Sequence, residues 1–109
     1  MAAKANLLID QGTTYSTTLT LTDENGEILD LSGATAASQI RKSYTSSVAA
    51  SFTASVNVEF GEVTLSLSAE TSGNLVAGRY VYDVELTDGS NNVSRIAEGI
   101  VTVTPQVTR

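Results

Sequence analysis

The sequence predicts an all-β fold, an antiparallel β-sandwich of seven or eight strands. Three observations carry this expectation. Apolar and polar residues alternate over short runs, most clearly from Gly78 to Thr87. There Tyr80, Tyr82, Val84 and Leu86 fall on one side of an extended strand, and Arg79, Val81, Asp83 and Glu85 on the other. Turn-forming residues separate such runs at the spacing of a sandwich. Finally, serine and threonine are abundant and proline occurs once, at Pro105, which suits many short strands with hydroxyl-rich outer faces.

The elements follow in order. Asn6 to Asp10 reads as a first short strand or as an arm, closed by Gln11-Gly12. From Tyr15 to Thr22, Tyr15, Thr17, Leu19 and Leu21 share one face. Asp23-Glu24-Asn25-Gly26 then signals a hairpin, because Asn-Gly accepts the positive φ angles of a tight primed turn. Glu27 to Leu31 is the expected return strand. Ala34 to Lys42 reads as a strand, with Ala36, Ser38 and Ile40 on one side, although its alanines make a helix the rival. Ser43 to Ser47 is a polar connection.

Ser51 to Val58 alternates Phe52, Ala54, Val56 and Val58 against small polar residues, and Val63, Leu65 and Leu67 mark the next strand. Ser68-Ala69-Glu70-Thr71 has the form of a capped helical turn, placing one near residues 69–75. Beyond Gly78–Thr87 and the turn Asp88-Gly89-Ser90-Asn91-Asn92, a last strand runs from Val93 to Val103. Its alternation slips at Glu98-Gly99, which predicts a bulge or a strand passing between sheets. Pro105 can end the ladder, leaving residues 105–109 as a tail.

At 109 residues the chain is one expected domain, residues 1–109, large enough to bury a core. No apolar run approaches a membrane span. Leu7-Leu8-Ile9 is too short for a signal-peptide core, so synthesis in the cytosol with a start near Met1 is expected. Cysteine and tryptophan are absent, which excludes the antibody-domain version of the fold and leaves an immunoglobulin-like or related sandwich. A net charge of −6 with six basic residues argues against nucleic acid as a partner.

The same composition removes most chemistry. Without histidine or cysteine there is no Ser-His-Asp triad, no histidine base, no thiolate nucleophile and no ordinary zinc site. Asp83 and Glu85 lie two apart on one strand face, about 7 Å from each other, close to the spacing of glycosidase carboxylates. The plainer expectation is that they pair with Arg79, Arg41 or Arg95 on neighbouring strands. Asp23, Glu24 and Asn25 form one acidic turn, and Asp88, Asn91 and Asn92 another. Neither has the ligand order of a calcium loop, and turn chemistry accounts for both. No enzymatic activity, cofactor or metal is expected.

What remains is surface. Arg41-Lys42-Ser43-Tyr44 is the only basic and aromatic cluster, and Arg and Tyr are favoured at protein contacts. Leu7, Leu8 and Ile9 form an apolar segment that either completes the domain's own sheet or serves as a docking arm. Val107 and Arg109 belong to the tail beyond the last strand. Leu7, Leu8, Ile9, Arg41, Lys42, Tyr44, Val107 and Arg109 are the candidate interface.

The ordered set of motifs also resembles a known family. It comprises Asp10-Gln11-Gly12-Thr13-Thr14-Tyr15, Leu19-Thr20-Leu21-Thr22-Asp23 with the Asn25-Gly26 turn, and Leu29-Asp30-Leu31-Ser32-Gly33. It continues through Gln39-Ile40-Arg41, Gly61-Glu62-Val63-Thr64-Leu65-Ser66-Leu67 and Ala77-Gly78-Arg79-Tyr80-Val81-Tyr82-Asp83-Val84, and closes at Glu98-Gly99-Ile100-Val101-Thr102-Val103 with Pro105. In these segments the chain is similar to small β-sandwich proteins of tailed bacteriophages, including the amino-terminal module of upper baseplate proteins and small virion proteins of cyanophage-type myoviruses. The resemblance implies a non-enzymatic virion component, made in the host cytoplasm, that joins other virion proteins in the tail or baseplate or forms a homo-oligomer within the particle. Upper baseplate proteins carry further domains where this sequence stops at Arg109, so an accessory or adaptor role is the expectation. The alternatives are a capsid decoration (cement) protein and a carbohydrate-binding module that stacks sugars on Tyr15, Tyr44, Tyr80 or Tyr82. No nucleic acid or membrane is expected as a partner.

Overall fold

The computed structural model describes residues 3–22 and 25–108. Among them are eight strands and one short helix: β1 (Ala3–Lys4), β2 (Leu7–Asp10), β3 (Tyr15–Thr20), β4 (Thr35–Arg41), β5 (Val48–Asn57), β6 (Glu62–Leu67), α1 (Ala69–Gly73), β7 (Gly78–Thr87) and β8 (Val93–Thr104). The hydrogen-bonded order is β1-β8-β7-β4-β5-β6-β3, with β2 also on β8. The path folds into two layers because β5 serves both. Its first half pairs with β4 (Ser38 opposite Phe52), and its second half pairs with β6 (Thr53 opposite Ser66). One layer is therefore β1/β2-β8-β7-β4 and the start of β5; the other is the end of β5 with β6 and β3. The fold class is all-β, a β-sandwich.

The core lies between the layers and has the composition that strand alternation requires. Tyr80, Tyr82, Val84 and Leu86 of β7 are buried, and so are Val63, Leu65 and Leu67 of β6. Ile40, Ala97, Val101 and Val103 complete the first layer's inner face. Phe52 sits where β5 changes layers. Its ring centroid is 6.1 Å from both Tyr15 and Tyr82, edge-on to the latter. Such aromatic contacts add about 0.5–1.5 kcal/mol each beyond burial and fill the corner between the sheets. Each buried aliphatic side chain contributes about 1.5–3 kcal/mol by leaving water.

Ala34 to Lys42 forms a strand rather than a helix, since alternation buries Ser38 and Ile40 while Gln39 stays outside. Ser38 is tolerated there because its hydroxyl donates to the Asp83 carbonyl at 2.6 Å. Ser68 caps α1 as expected, its Oγ accepting from the Thr71 N–H at 3.1 Å.

Several expectations need correction. The sheet is mixed, not purely antiparallel, because β1 and β2 run parallel to β8. The return strand at 27–31 is reduced to a single bridge, Thr22 to Ile28, plus the bond from Leu29 N–H to the Leu21 carbonyl. Leu31 is instead pulled fully into the core, which ends any ladder along Leu21. The hairpin residues Asp23 and Glu24 lie outside the described residues, while Gly26 has the positive φ of 80° that such a turn requires.

The slip in β8 is not at Gly99. Val84 faces Ala97 and Glu85 faces Arg95, so Ile96 is the extra residue of the bulge. Gly99 has another reason to lack a side chain: a Cβ there would stand 2.1 Å from the Ala5 carbonyl oxygen. The strand that passes between layers is β5, which also begins earlier than expected, at Val48.

Candidate docking surface

β4 ends at Arg41, where the register with β5 shifts. The Arg41 guanidinium is held by the Ser46 carbonyl and by Gln39 Oε1, the latter at 3.0 Å. The Ser46 N–H donates to the Ser43 carbonyl, and the two hydroxyls share a bond of 2.7 Å. This tight turn carries Tyr44 on its tip, with 75% of the residue exposed. A polar turn that satisfies its own backbone can hold an aromatic ring in solvent without needing a partner for its fold.

Lys42 lies alongside. Its Nζ sits 4.7 Å from the centre of the Tyr80 ring, a cation–π contact. The Tyr80 hydroxyl donates at 2.6 Å to the carbonyl of Val76, which is itself 75% exposed. The neighbouring Leu75 is buried, and its carbonyl accepts from Gln11 Nε2 at 2.7 Å. The other end of that amide, Oε1, accepts the Gln106 N–H at 2.9 Å and fixes the start of the tail. Val107 follows, 94% exposed.

One end of the sandwich thus presents Tyr44, Val76 and Val107 with the exposed or half-exposed cations Arg41, Lys42 and Arg79. Of the candidate interface residues, Arg41, Lys42, Tyr44 and Val107 are brought together here, and Arg109 lies outside the described residues. Leu7, Leu8 and Ile9 are elsewhere, in β2 on the edge of the first sheet. Ile9 is 0% exposed and Leu7 packs on the core, so only Leu8, 61% exposed, offers its side chain to a partner. Val76 was not legible as a surface residue, because Leu75-Val76 reads as an apolar pair and only Leu75 faces inward.

Tyr44 also forms the rim of an open groove of about 540 Å³ on the outer face of the first sheet. Its floor carries Gln39, Asp83, Glu85, Arg95 and Glu98. Asp83 stands directly opposite Glu98 across the ladder, a pairing of like charges that costs stability. Arg95 offsets it, with Nε 3.2 Å from Asp83 Oδ2. Of the pairings expected for Asp83, the one with Arg95 is present; Arg41 is turned to Gln39 and Ser46 instead.

The acidic turn after β7 is occupied by its own backbone. Asp88 Oδ1 accepts from the N–H groups of Ser90 and Asn92, both at 2.9 Å, and these bonds hold the carboxyl below its ordinary pKa. Asp30 is lowered in the same way by the Ser32 N–H and hydroxyl. Among the described residues no group of three or more carboxylates is placed to hold a metal ion, and no helix is long and apolar enough to cross a membrane.

No protein-family model matches the chain, and no curated protein matches it. Among solved structures it is similar to CopC from Methylosinus trichosporium OB3b, with a TM-score of 0.54 and 15% identity over 99% of this chain and 90% of that one. It is also similar to an internalin-like protein of Listeria monocytogenes, with a TM-score of 0.52 and 18% identity over 94% of this chain. The matched part is 28% of the internalin-like chain, so the likeness there is to one portion of a longer protein. In all, 329 solved chains match, and a fold so widely used does not choose a function.

Proposed function

We propose that this chain is a non-enzymatic structural protein of a tailed-bacteriophage virion, an accessory or adaptor of the tail or baseplate that docks onto other virion proteins. The observation that carries the docking role is the end bearing Tyr44, Val76 and Val107 among Arg41, Lys42 and Arg79. Exposed apolar and aromatic side chains, rimmed by arginine and lysine, are the ingredients of a protein contact. The virion assignment rests on the sequence resemblance described above. Quantitative mass spectrometry of gradient-purified particles tests it. A few to a few dozen copies per particle support a tail or baseplate part, and hundreds support capsid decoration instead. Absence from the particles refutes both.

A carbohydrate-binding role draws on one specific feature, the Tyr44 ring at the rim of a groove floored by planar polar side chains. Tyr80 and Tyr82 take no part in it because both are core residues. A glycan array distinguishes this reading: binding abolished by Tyr44→Ala supports it, and a blank array removes it.

A further inference from the structure

The two ends of the sandwich differ in charge. Among the described residues, the end opposite Tyr44 is built from residues 21–22, 25–34, 58–61 and 88–92, and these contain no lysine or arginine. They and the adjoining start of β6 carry Glu27, Asp30, Glu59, Glu62 and Asp88. Among these acids sit Ile28, Val58 and Phe60, all exposed apolar residues. Ile28 lies against Gly61, the residue after Phe60: a Cβ on Gly61 would meet Ile28 Cγ2 at 2.3 Å. One end therefore has an apolar tip with an acidic rim, and the other an apolar tip at which Arg41, Lys42 and Arg79 outnumber Asp10 and Glu70.

We infer that copies of this chain stack head to tail, the acidic Ile28/Val58/Phe60 end of one docking on the basic Tyr44/Val76/Val107 end of the next. Three considerations select a second copy as the occupant. The two ends complement each other in charge, and each offers exposed apolar side chains to bury. Anionic lipid and nucleic acid are disfavoured at the acidic end by repulsion. The sizes also fit an array better than a pair. β7, with ten residues, spans about 33 Å, so the 44 Å extent of the molecule runs along the strands and each end offers a cross-section of about 28 × 21 Å. A contact of that size buries less than the ~800 Å² per partner of a stable dimer and is weak on its own. Repetition of such a heterologous contact gives a ring or a filament, in which each copy is held from both sides. The inference goes beyond the virion assignment and does not depend on it.

Sedimentation of the full chain up to about 1 mM tests the proposal. Association that grows with concentration, and that falls more than about tenfold between ~20 mM and ~500 mM salt, is expected. A Glu27→Lys/Glu59→Lys/Glu62→Lys chain sets three lysines against Asp30 and Asp88, so that both ends are basic among the described residues, and a Lys42→Glu/Arg79→Glu chain has two acidic ends. Each alone should be monomeric, and mixing the two should restore association through both kinds of contact. Phe60→Ser and Tyr44→Ser, which leave the charges alone, should each weaken association of the unaltered chain. Circular dichroism confirms that every variant is folded. A native chain that stays monomeric throughout, or folded charge variants that associate alone as well as when mixed, would overturn the proposal.

Discussion

The hydroxyl of Tyr82 donates to the carbonyl of Ala5 at 2.6 Å, joining the middle of the sandwich to its first residues across 77 positions of sequence. The bond falls at the gap between β1 and β2. On both sides of that gap the pairing with β8 keeps one register, Lys4 opposite Glu98 and Leu7 opposite Val101. Gly99 leaves the room for Ala5 to come in, and Asn6 Oδ1 accepts the Ile100 N–H at 3.1 Å. The edge is thereby held by side chains where the backbone ladder lapses.

Removing the Tyr82 hydroxyl should accordingly loosen the first strand. Tyr82→Phe leaves the Ala5 carbonyl without this donor, and a stability loss of about 1–2 kcal/mol in urea denaturation is expected. Gly99→Ala should cost more, because its methyl would meet backbone and not a flexible side chain. In that variant, amide exchange should rise at Lys4 and Ala5 before it rises in β7.

The alkaline limb of stability should also report on Tyr82. Burial, with a smaller contribution from the neighbouring Tyr15, pushes its phenol up to about 12 from an ordinary value of 10.0. Burial raises Tyr15 as well. A raised folded-state pKa means that the folded protein holds the proton more tightly. The contribution is full below pH 10 and is lost as pH rises from 10 through about 12. Phenolate absorbance should lose a component that ionises near pH 12 in Tyr82→Phe, and that variant should flatten the loss of stability above pH 10.

At the acid limb the sign reverses. Asp30 and Asp88 are held below the ordinary 3.8 by backbone N–H donors, so their contribution is present above that value and is lost as pH falls through the lower folded values. Asp88→Ala should reduce the dependence of stability on pH below 4 and raise amide exchange at Ser90 and Asn92.

Ile9 and Leu8 separate the two readings of the first apolar segment. Ile9→Ala should cost about 2–5 kcal/mol, as for any buried aliphatic residue, whereas Leu8→Ala should stay within about 0.5 kcal/mol. Equal and small effects in the isolated domain would mean that β2 acts as an arm and not as core.

These residues also show what was readable in the chain. β7 was legible at both ends because its alternation is unbroken and is bounded by Gly78 and Asp88. The layer change in β5 was not, since Phe52, Ala54 and Val56 alternate smoothly through the crossing. The parallel pairing of β2 with β8 joins opposite ends of the sequence, and no local pattern marks it. Gly99 was visible as an anomaly, but a bulge and a close backbone approach leave the same trace in a sequence. On the candidate surface, Arg41, Lys42 and Tyr44 stood out by composition. Their placement at the same end as Val76 and Val107 follows from Gln11 and Tyr80, contacts that only the folded chain provides.

The central claim is that this sandwich is a docking part of a virion. Cryo-electron microscopy of intact particles purified with this protein tests that most directly. The account predicts density for a sandwich 44 Å long whose Tyr44 and Val107 are buried against a neighbouring protein. Particles without this density, or with that end facing solvent, would contradict it.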